Sequence, residues 1–182
     1  MAKQIEKEIG HLYKTYANDL FSYALNLGFD RDISMDAIHD VFYKICLDEK
    51  VLNKIDHIRF YLLRALKNRL LDIYKQKKET VGLPSESTID DIPFTIHVTI
   101  EDLMIKAEEQ EMIRSKVEQL LESLTDRQRE IIYLRYSQEC DYEEIAQIMQ
   151  ITVPACRKLF HKALAKLKKN PYSAFLLFLL IN

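Results

Sequence analysis

The sequence predicts an all-α protein with two small helical domains joined by a linker, the C-terminal domain being a helix-turn-helix. The 182 residues include only three Gly and four Pro, so few positions interrupt helices. Long stretches repeat apolar residues at a period near 3.6. Residues 79–101 lose that period and gather Gly, Pro, Ser and Thr, which is typical of a linker.

Four segments follow from these changes in pattern. They are a first domain over 1–78, an acidic linker over 79–112, a helix-turn-helix domain over 113–169 and an apolar tail over 170–182. A short strand from Phe94 to Ile100 is an alternative within the linker, as is a plain surface loop.

Charge is distributed unevenly along the chain. Residues 1–78 carry 14 Lys and Arg against 11 Asp and Glu, residues 79–113 carry one against nine, and residues 114–182 carry 11 against eight. The net charge is −2. Non-specific DNA affinity comes mainly from neutralised phosphates. We therefore expect the isolated chain to bind free DNA poorly and to need a larger partner that holds it on DNA.

The first domain contains three amphipathic segments. The first, over about residues 5–27, and the third, Ile58–Lys78, each place an apolar stripe on one face. Ser34 is the expected N-cap of the second, Met35–Leu47. The inward positions of the three segments are Leu12, Tyr16, Leu20, Tyr23, Ala24 and Leu27, then Ile38, Val41, Phe42 and Ile45, then Ile58, Leu62, Ala65, Leu66, Leu70 and Ile73.

The outer faces of the second and third segments each allow two interpretations. Asp36, His39, Asp40 and Tyr43 are either a partner-binding face or, for the carboxylates, residues that suit the helix dipole. The third segment mixes aromatics with cations and an amide, which is typical of a single-strand platform; a solvated basic face is the alternative. Its outer residues are Phe60, Tyr61, Arg64, Lys67, Asn68, Leu71, Lys75 and Lys78.

Residues 124–169 predict three successive helices, the last two forming the helix-turn-helix. Thr125 with Gln128, and Asp141 with Glu144, match the capping-box pattern. Thr152 is the expected N-cap of the last helix. Pro154 is tolerable there, because backbone donors in a first turn have no intrahelical partner.

The last helix sorts its residues by charge. The apolar face holds Val153, Cys156, Phe160, Ala163, Leu164 and Leu167, and the opposite face holds Pro154, Arg157, Lys158, His161, Lys162 and Lys168. An apolar side docked on supporting helices, with a basic side outward, is how a recognition helix enters a major groove. An ordinary amphipathic helix with a solvated basic face would show the same charge pattern.

Several function classes lack support in the sequence. Cys46, Cys140 and Cys156 show no CxxC spacing, which favours reduced thiols over disulfides or zinc. We find no phosphate loop, paired metal ligands or nucleophile with a base, and expect neither an enzyme nor a cofactor. The first residues lack the apolar run of a signal peptide, so we expect a cytoplasmic protein.

Four motifs in series resemble the bacterial RNA polymerase sigma factors. They are LYKTYANDLFSYA, DAIHDVFYKI, YLLRALKNRLLDIYKQKK and LTDRQREIIYLRY…YEEIAQIMQITV…HKALAKLKK, and they cover about residues 9–78 and 113–169. The resemblance is to the compact extracytoplasmic-function (ECF) group of the sigma-70 family, with the second and fourth conserved regions.

The resemblance implies roles for individual residues. The clamp helices of the largest polymerase subunit would be contacted by Asp36, His39, Asp40 and Phe42. The −10 strand would be melted and read by Asn53, in the loop between Leu47 and His57, and by Phe60, Tyr61, Arg64, Lys67, Asn68 and Lys75. The −35 element would be read by Thr152, Pro154, Arg157, Lys158, His161 and Lys162. The acidic linker would thread the RNA exit region. The implied partners are core polymerase, including its flap, and promoter DNA, with an anti-sigma factor left open.

The sequence departs from the family pattern at four positions. His39 stands where Gln is common, Cys46 replaces the usual Trp, Gln150 replaces a frequent Gly, and Leu159 sits where Arg is frequent. The last change bears on the promoter contacts that the resemblance implies.

The resulting expectation is a promoter-specificity subunit of RNA polymerase. A free-standing helix-turn-helix regulator with an N-terminal dimerisation or sensing domain competes with it, and would bind duplex operator alone. A purely helical interaction module also stays open. The apolar run Ala174–Ile181 is too short to span a membrane. We expect it to pack on the protein; binding an inhibitor, touching a membrane or marking the chain for proteolysis are alternatives.

Overall fold

The computed structural model describes residues 2–47, 57–80, 92–96, 107–173, 176 and 180. Seven α-helices hold most of these residues, and no described residue lies in a β-strand. The chain divides into two compact units, Met1–Ile92 and Pro93–Asn182. The predicted all-α class is confirmed.

The first unit is a three-helix arrangement of α1 (Ala2–Asn26), α2 (Arg31–Leu47) and α3 (Ile58–Thr80), in which each helix packs on the other two. Its buried apolar residues are Leu20, Tyr23, Ala24, Leu27, Ala37, Ile38, Val41, Phe42, Ile45, Leu62, Leu63, Leu66, Leu70 and Leu71. Burial of each large side chain stabilises the fold by about 1.5–3 kcal/mol.

Helix α2 begins one turn before the predicted N-cap. Asp30 is the residue that caps it, since its Oδ1 accepts a 2.9 Å hydrogen bond from the amide of Ile33. Ser34 lies inside the helix, buried, and its hydroxyl donates to the Asp30 carbonyl at 2.7 Å. Asp and Ser are both good N-caps, and the upstream candidate adds a further turn. The prediction that Ser34 caps α2 is therefore wrong.

Two ion pairs connect α3 to its neighbours. Arg59 Nη2 lies 2.6 Å from Asp19 Oδ2 on α1, and Arg69 Nε lies 2.7 Å from Asp40 Oδ2 on α2. All four side chains are about one-third to two-fifths exposed, so each pair contributes no more than about 1 kcal/mol. Their main contribution is geometric, because each ion pair fixes the position of α3 along a partner helix.

The second unit contains α4 (Ala107–Glu122), α5 (Asp126–Tyr136), α6 (Tyr142–Ile148) and α7 (Val153–Leu167). Helices α5, α6 and α7 pack on one another. Helix α4 begins six residues before the expected domain start at 113, and α3 in the first unit ends two residues after the expected boundary at 78.

Both predicted capping boxes are confirmed. Thr125 and Gln128 exchange side-chain and backbone hydrogen bonds at the start of α5, and Asp141 and Glu144 do the same at the start of α6. Each box satisfies two backbone donors that the helix leaves unpaired.

The turn between α6 and α7 is a Schellman turn. The amide of Ile151 donates to the carbonyl of Ala146 at 2.9 Å, and the amide of Gln150 donates to the carbonyl of Gln147 at 3.4 Å. Gln150 has φ 53°, in the left-handed region that favours Gly. A non-Gly residue thus closes the helix-turn-helix at a conformational cost of roughly 1 kcal/mol.

Part of the tail is described. The amide of Leu176 donates to the carbonyl of Tyr172 at 3.0 Å, and both Leu176 and Leu180 are buried. Their spacing of four matches one face of a helix. Within the described part of the chain, no helix has the length and apolarity that crossing a membrane requires.

Candidate nucleic-acid interface

Helix α7 presents two chemically distinct faces. Cys156, Phe160, Ala163 and Leu167 are buried against the unit. The opposite face exposes Arg157, Lys158, His161 and Lys162 to solvent. This division is the one that the sequence predicts, except that Val153 and Leu164 are only half-buried.

The start of α7 is fixed by its cap. Thr152 Oγ1 accepts a hydrogen bond from the amide of Ala155 at 3.3 Å, and Pro154 occupies the first turn. Both Thr152 and Pro154 are exposed, and they lie at the N-terminal end of α7, next to the turn. In helix-turn-helix proteins, the first residues of the recognition helix contact base edges.

Arg157 is held by residues of α6. Its guanidinium lies 5.5 Å from the ring centroid of Tyr142, and its Nη2 lies 3.5 Å from Glu143 Oε1. The guanidinium of Arg135 lies 5.3 Å from the same Tyr142 ring. The ring of Phe160 meets Tyr142 edge-on at 5.5 Å. Tyr142 therefore orients two cations while it packs on the core of α7.

Sequence reasoning did not assign a role to Tyr142, Glu143 or Arg135. One signal was available, because an aromatic and a carboxylate directly follow the N-cap of the helix that precedes the basic helix. Contacts between helices depend on their crossing angle, however, and the sequence does not give that angle.

Cys156 lies on the buried face of α7, one residue before Arg157. Burial, with a smaller contribution from the nearby Glu143 carboxylate, raises the pKa of its thiol from 9.0 to about 11, and Arg157 acts in the opposite direction. The thiol therefore stays neutral near pH 7 and serves as an apolar core group. None of the described parts of the chain brings three His, Cys, Asp or Glu residues together in a way that could hold a metal ion.

The predicted docking residues on α2 differ in exposure. Asp36 is exposed, and so is His39, whose ring stacks on Tyr13 with a 3.2 Å contact between Nε2 and the Tyr13 hydroxyl. Asp40 is half-buried and paired with Arg69. Phe42 is only 5% exposed and meets the Tyr13 ring edge-on at 5.1 Å. A buried ring has little surface for a partner, so Phe42 supports the face from beneath.

Several predicted strand-binding residues come together in one groove. Tyr61, Arg64 and Asn68 on α3 line a groove of about 330 Å³ together with Asp40 on α2. The other lining residues are Val41, Lys44, Ala65, Arg69 and Asp72. The groove thus combines an aromatic, an amide and cations with two carboxylates, Asp40 and Asp72, and the resemblance implies a docking role for Asp40.

Lys67 does not lie on the outer face of α3. It is 2% exposed, and Leu71, also predicted to face outward, is 6% exposed. Leu63 is fully buried, and positions 63, 67 and 71 follow one another at helical spacing. The buried arc of α3 is therefore wider than the predicted stripe, because α3 packs against two helices. The prediction that Lys67 faces a nucleic-acid strand is wrong.

The remaining predicted strand contacts are distributed as follows. Lys75 is exposed and Phe60 is half-buried, both on α3. Asn53 and its loop lie outside the described residues.

The chain is similar to sigma factors in sequence. The family model described as Sigma-70, region 4 matches residues 114–167, which span α5 to α7 and most of α4. The chain is 24% identical to the ECF RNA polymerase sigma factor SigM of Bacillus subtilis (strain 168), over 88% of this chain and 93% of that protein. It is also 24% identical to the RNA polymerase sigma factor YlaC of the same organism, over 89% and 91% of the two chains.

A solved structure has the same fold. The sigma factor RpoE of Bartonella quintana, in its complex with the anti-sigma factor NepR, superposes with a TM-score of 0.59 at 16% identity. The match covers 90% of this chain and 96% of that one. The helix-turn-helix geometry, the family match and relatives aligned over almost their full length agree. Residues 114–167 match Sigma-70, region 4, and the similarity over nearly the whole chain supports a sigma factor of the ECF group of the sigma-70 family.

Proposed function

We propose that this sigma factor docks on core RNA polymerase through α2, reads the −35 element with α7 and engages the −10 strand with α3. The observation that carries the proposal is the doubly capped helix-turn-helix, whose last helix exposes four basic side chains opposite its core face. Capping fixes the register of these side chains, and a fixed register is what reading base edges requires.

Arg157, Lys158, His161 and Lys162 are the proposed −35 contacts, with Thr152 and Pro154 at the leading end. Cations on one helix face neutralise phosphates, and Arg can pair with a guanine edge through two hydrogen bonds. Arg157 begins with an advantage for base reading, because its guanidinium already lies over the Tyr142 ring.

Asp36, His39 and Asp40 are the proposed contacts with the polymerase clamp helices. They lie on one side of α2, one helical turn apart, and Phe42 supports them from the core. Exposed carboxylates suit a basic partner surface, where charge complementarity speeds association.

Tyr61, Arg64 and Asn68 are the proposed −10 strand contacts, with Phe60 and Lys75 on the same helix. An aromatic ring stacks on a base, and an Arg follows the phosphates. The groove that these residues line gives an unstacked base a place beside Tyr61. Asn53 is proposed to act from the loop before α3.

The proposed role needs no catalytic chemistry in this chain. Sigma-70 family proteins are in general not enzymes, and we propose that this one lowers the cost of strand opening by binding the opened strand. We place the protein in the cytoplasm, where core polymerase meets promoter DNA. An anti-sigma factor is a further proposed partner, because the RpoE relative is solved in complex with one.

Reconstituted transcription tests the −35 assignment. The double variant Arg157→Ala, Lys158→Ala removes two exposed cations from the reading face. Lys116→Ala, Lys169→Ala removes two exposed cations that lie outside the basic face of α7 and serves as the charge-matched control. A bidentate contact with a base edge is worth about 1–3 kcal/mol. We expect initiation to fall at least about tenfold in the first variant, and by much less in the control.

Retention on core polymerase is measured in parallel. Both variants should be retained like the wild type, because α7 reads DNA in this account. Loss of polymerase binding by Arg157→Ala, Lys158→Ala would contradict the assignment of α7 to DNA. Unchanged initiation by that variant would do the same.

A further inference from the structure

Large apolar side chains are exposed at three positions in the described part of the chain. They are Tyr43, 63% exposed, Leu47, 69% exposed, and Met112, 59% exposed. A single exposed apolar side chain is ordinary at a protein surface, whereas a contiguous apolar patch marks an interaction site. Tyr43 and Leu47 are contiguous, because both belong to α2 and residues four apart on a helix lie one above the other. We call these two residues the apolar pair.

The apolar pair lies on the side of α2 that faces away from the core of the first unit. At about 100° per residue, Tyr43 and Leu47 share one side of the helix with Asp36, and Ile38 and Ile45 lie on the opposite side. Both isoleucines are fully buried, and the helix packs on α1 and α3. The core of this unit is therefore complete without the apolar pair.

The structure also shows which aromatic ring of α2 a partner could reach. The resemblance to sigma factors implies docking by Phe42, but Phe42 is only 5% exposed and its ring meets Tyr13 edge-on at 5.1 Å. The next residue, Tyr43, presents its ring to solvent. An aromatic contact made by this face of α2 therefore belongs to Tyr43.

The outer face of α2 changes character along its length. Asp32 and Asp36 are exposed and Asp40 is half-buried, so carboxylates occupy the first part of the face. The apolar pair occupies the last part. With a rise of about 1.5 Å per residue, Tyr43 lies about 10 Å beyond Asp36 along the helix, and Leu47 lies about 16 Å beyond it. A complementary surface therefore needs cations at one end and an apolar recess at the other.

We propose that Tyr43 and Leu47 are the apolar anchor by which α2 binds core RNA polymerase. The polymerase surface then carries cations opposite Asp36 and Asp40 and an apolar recess opposite the anchor. This inference rests on the proposed function, in which α2 is the docking helix. In protein interfaces a few buried aromatic and apolar side chains carry most of the affinity, while exposed charges mainly govern the association rate.

A second copy of this chain is a poorer occupant of the same face. If two α2 helices paired in parallel, carboxylates would face carboxylates. If they paired antiparallel, Asp36 and Asp40 of each copy would face the apolar pair of the other. Neither arrangement supplies cations to the carboxylates, and like charges or unpaired charges across an interface oppose association. The charge pattern thus favours a different protein with a basic surface.

The test measures the affinity of the full-length chain for core polymerase at two salt concentrations. Tyr43→Ala and Leu47→Ala each remove one member of the apolar pair, and Tyr43→Phe keeps the ring. Met112→Ala is the matched control, because it removes a similarly exposed apolar side chain from α4. Denaturant titration of each variant accompanies the binding measurement. The midpoints should match the wild type, because exposed side chains contribute little to folding.

We expect Tyr43→Ala to weaken binding at least about tenfold, and Leu47→Ala about threefold or more, at both salt concentrations. Tyr43→Phe and Met112→Ala should stay within about twofold of the wild type. The double variant Asp36→Ala, Asp40→Ala should weaken binding mainly at low salt, because salt screens charges and leaves apolar contacts in place.

Wild-type affinity in both Tyr43→Ala and Leu47→Ala, with loss only in Asp36→Ala, Asp40→Ala, would overturn the inference and leave the proposed docking intact. An equal loss in Met112→Ala would overturn it too. Sedimentation of the chain alone provides a further check. A wild-type dimer that Tyr43→Ala dissociates, with polymerase binding unchanged, would assign the apolar pair to a second copy. If the wild type does not bind core polymerase, the proposed function fails and this inference fails with it.

Discussion

The carboxylate of Asp40 accepts a 2.7 Å hydrogen bond from Arg69 Nε, which ties the proposed docking face of α2 to the proposed strand-binding helix α3. Both residues line the same groove as Tyr61 and Asn68. A change at the docking face therefore has a direct route to the helix that would engage DNA.

Substitutions can separate the structural part of Asp40 from its docking part. Arg69→Ala breaks the ion pair, whose side chains are 32% and 44% exposed, and should lower the free energy of unfolding by no more than about 1 kcal/mol. The double variant Asp36→Ala, Asp40→Ala should lose retention on core polymerase, while Arg69→Ala should be retained. Equal losses in both variants would show that the ion pair, and not the carboxylates, matters for binding.

Glu143 pairs with Arg157 and would compete with DNA for its guanidinium in the proposed −35 contact. The two side chains are 58% and 57% exposed at 3.5 Å, so Glu143→Gln should change the free energy of unfolding by less than about 0.5 kcal/mol. The variant removes a negative charge beside the basic face, and we expect promoter binding by the holoenzyme to tighten about two- to fivefold at low salt. Titration of labelled promoter at two salt concentrations measures it.

Glu118→Gln on α4 is the control for that change, because it neutralises an exposed carboxylate on another helix. Equal tightening in the control would assign the effect to net charge. Weaker promoter binding by Glu143→Gln would show that Glu143 orients Arg157 productively.

Gln150 closes the helix-turn-helix with a positive φ of 53°. Gln150→Gly removes the steric cost of that conformation in the folded state. Part of this stabilisation is lost, because Gly also increases the conformational entropy of the unfolded chain. We expect a net rise of about 0.5 kcal/mol in the free energy of unfolding, measured by denaturant titration. Gln147→Gly, one turn earlier inside α6, should lower it by about 1 kcal/mol. A destabilising Gln150→Gly would mean that the Gln side chain contributes more than the backbone strain costs.

The three cysteines should differ in reactivity. Cys46 is exposed, while Cys140 and Cys156 are buried. In the folded protein at pH 8, a thiol reagent should label one cysteine quickly, and Cys46→Ser should abolish the fast phase. Fast labelling of Cys156 would contradict the raised pKa of its thiol.

The same thiol sets a pH dependence of stability. The folded pKa of about 11 lies above the reference value of 9.0, so the folded state holds this proton more tightly. The stabilisation is complete below pH 9 and is lost as the pH rises through 11. Other groups titrate in this range, so the difference between the wild type and Cys156→Ala isolates the contribution. No difference between the two profiles would contradict it.

The helix-turn-helix could be predicted because its signals are local. Thr125, Asp141 and Thr152 each cap a helix through contacts within three residues, and the apolar face of α7 follows one period. The start of α2 was missed because Asp30 and Ser34 are both good caps, and choosing between them needs the hydrogen bonds themselves.

Features that depend on contacts between distant residues could not be predicted. Lys67 is buried because α3 packs on two helices at once, and single-helix periodicity does not show how wide that contact is. The hydrogen bonds of the Phe94 backbone with Asp126 and Arg129 join residues more than 30 positions apart. Their one local signal is the alternation Ile92, Phe94, Ile96, which is short and lies in a stretch rich in helix breakers.

Binding of labelled promoter DNA by this chain, with and without core polymerase, tests the central claim most directly. The net charge of −2 and the few cations on α7 predict weak, salt-sensitive binding by the chain alone. Adding core polymerase should produce a tight complex that discriminates promoter from random duplex. Tight, sequence-specific binding by the isolated chain, unchanged when core polymerase is added, would contradict the account and favour a free-standing regulator.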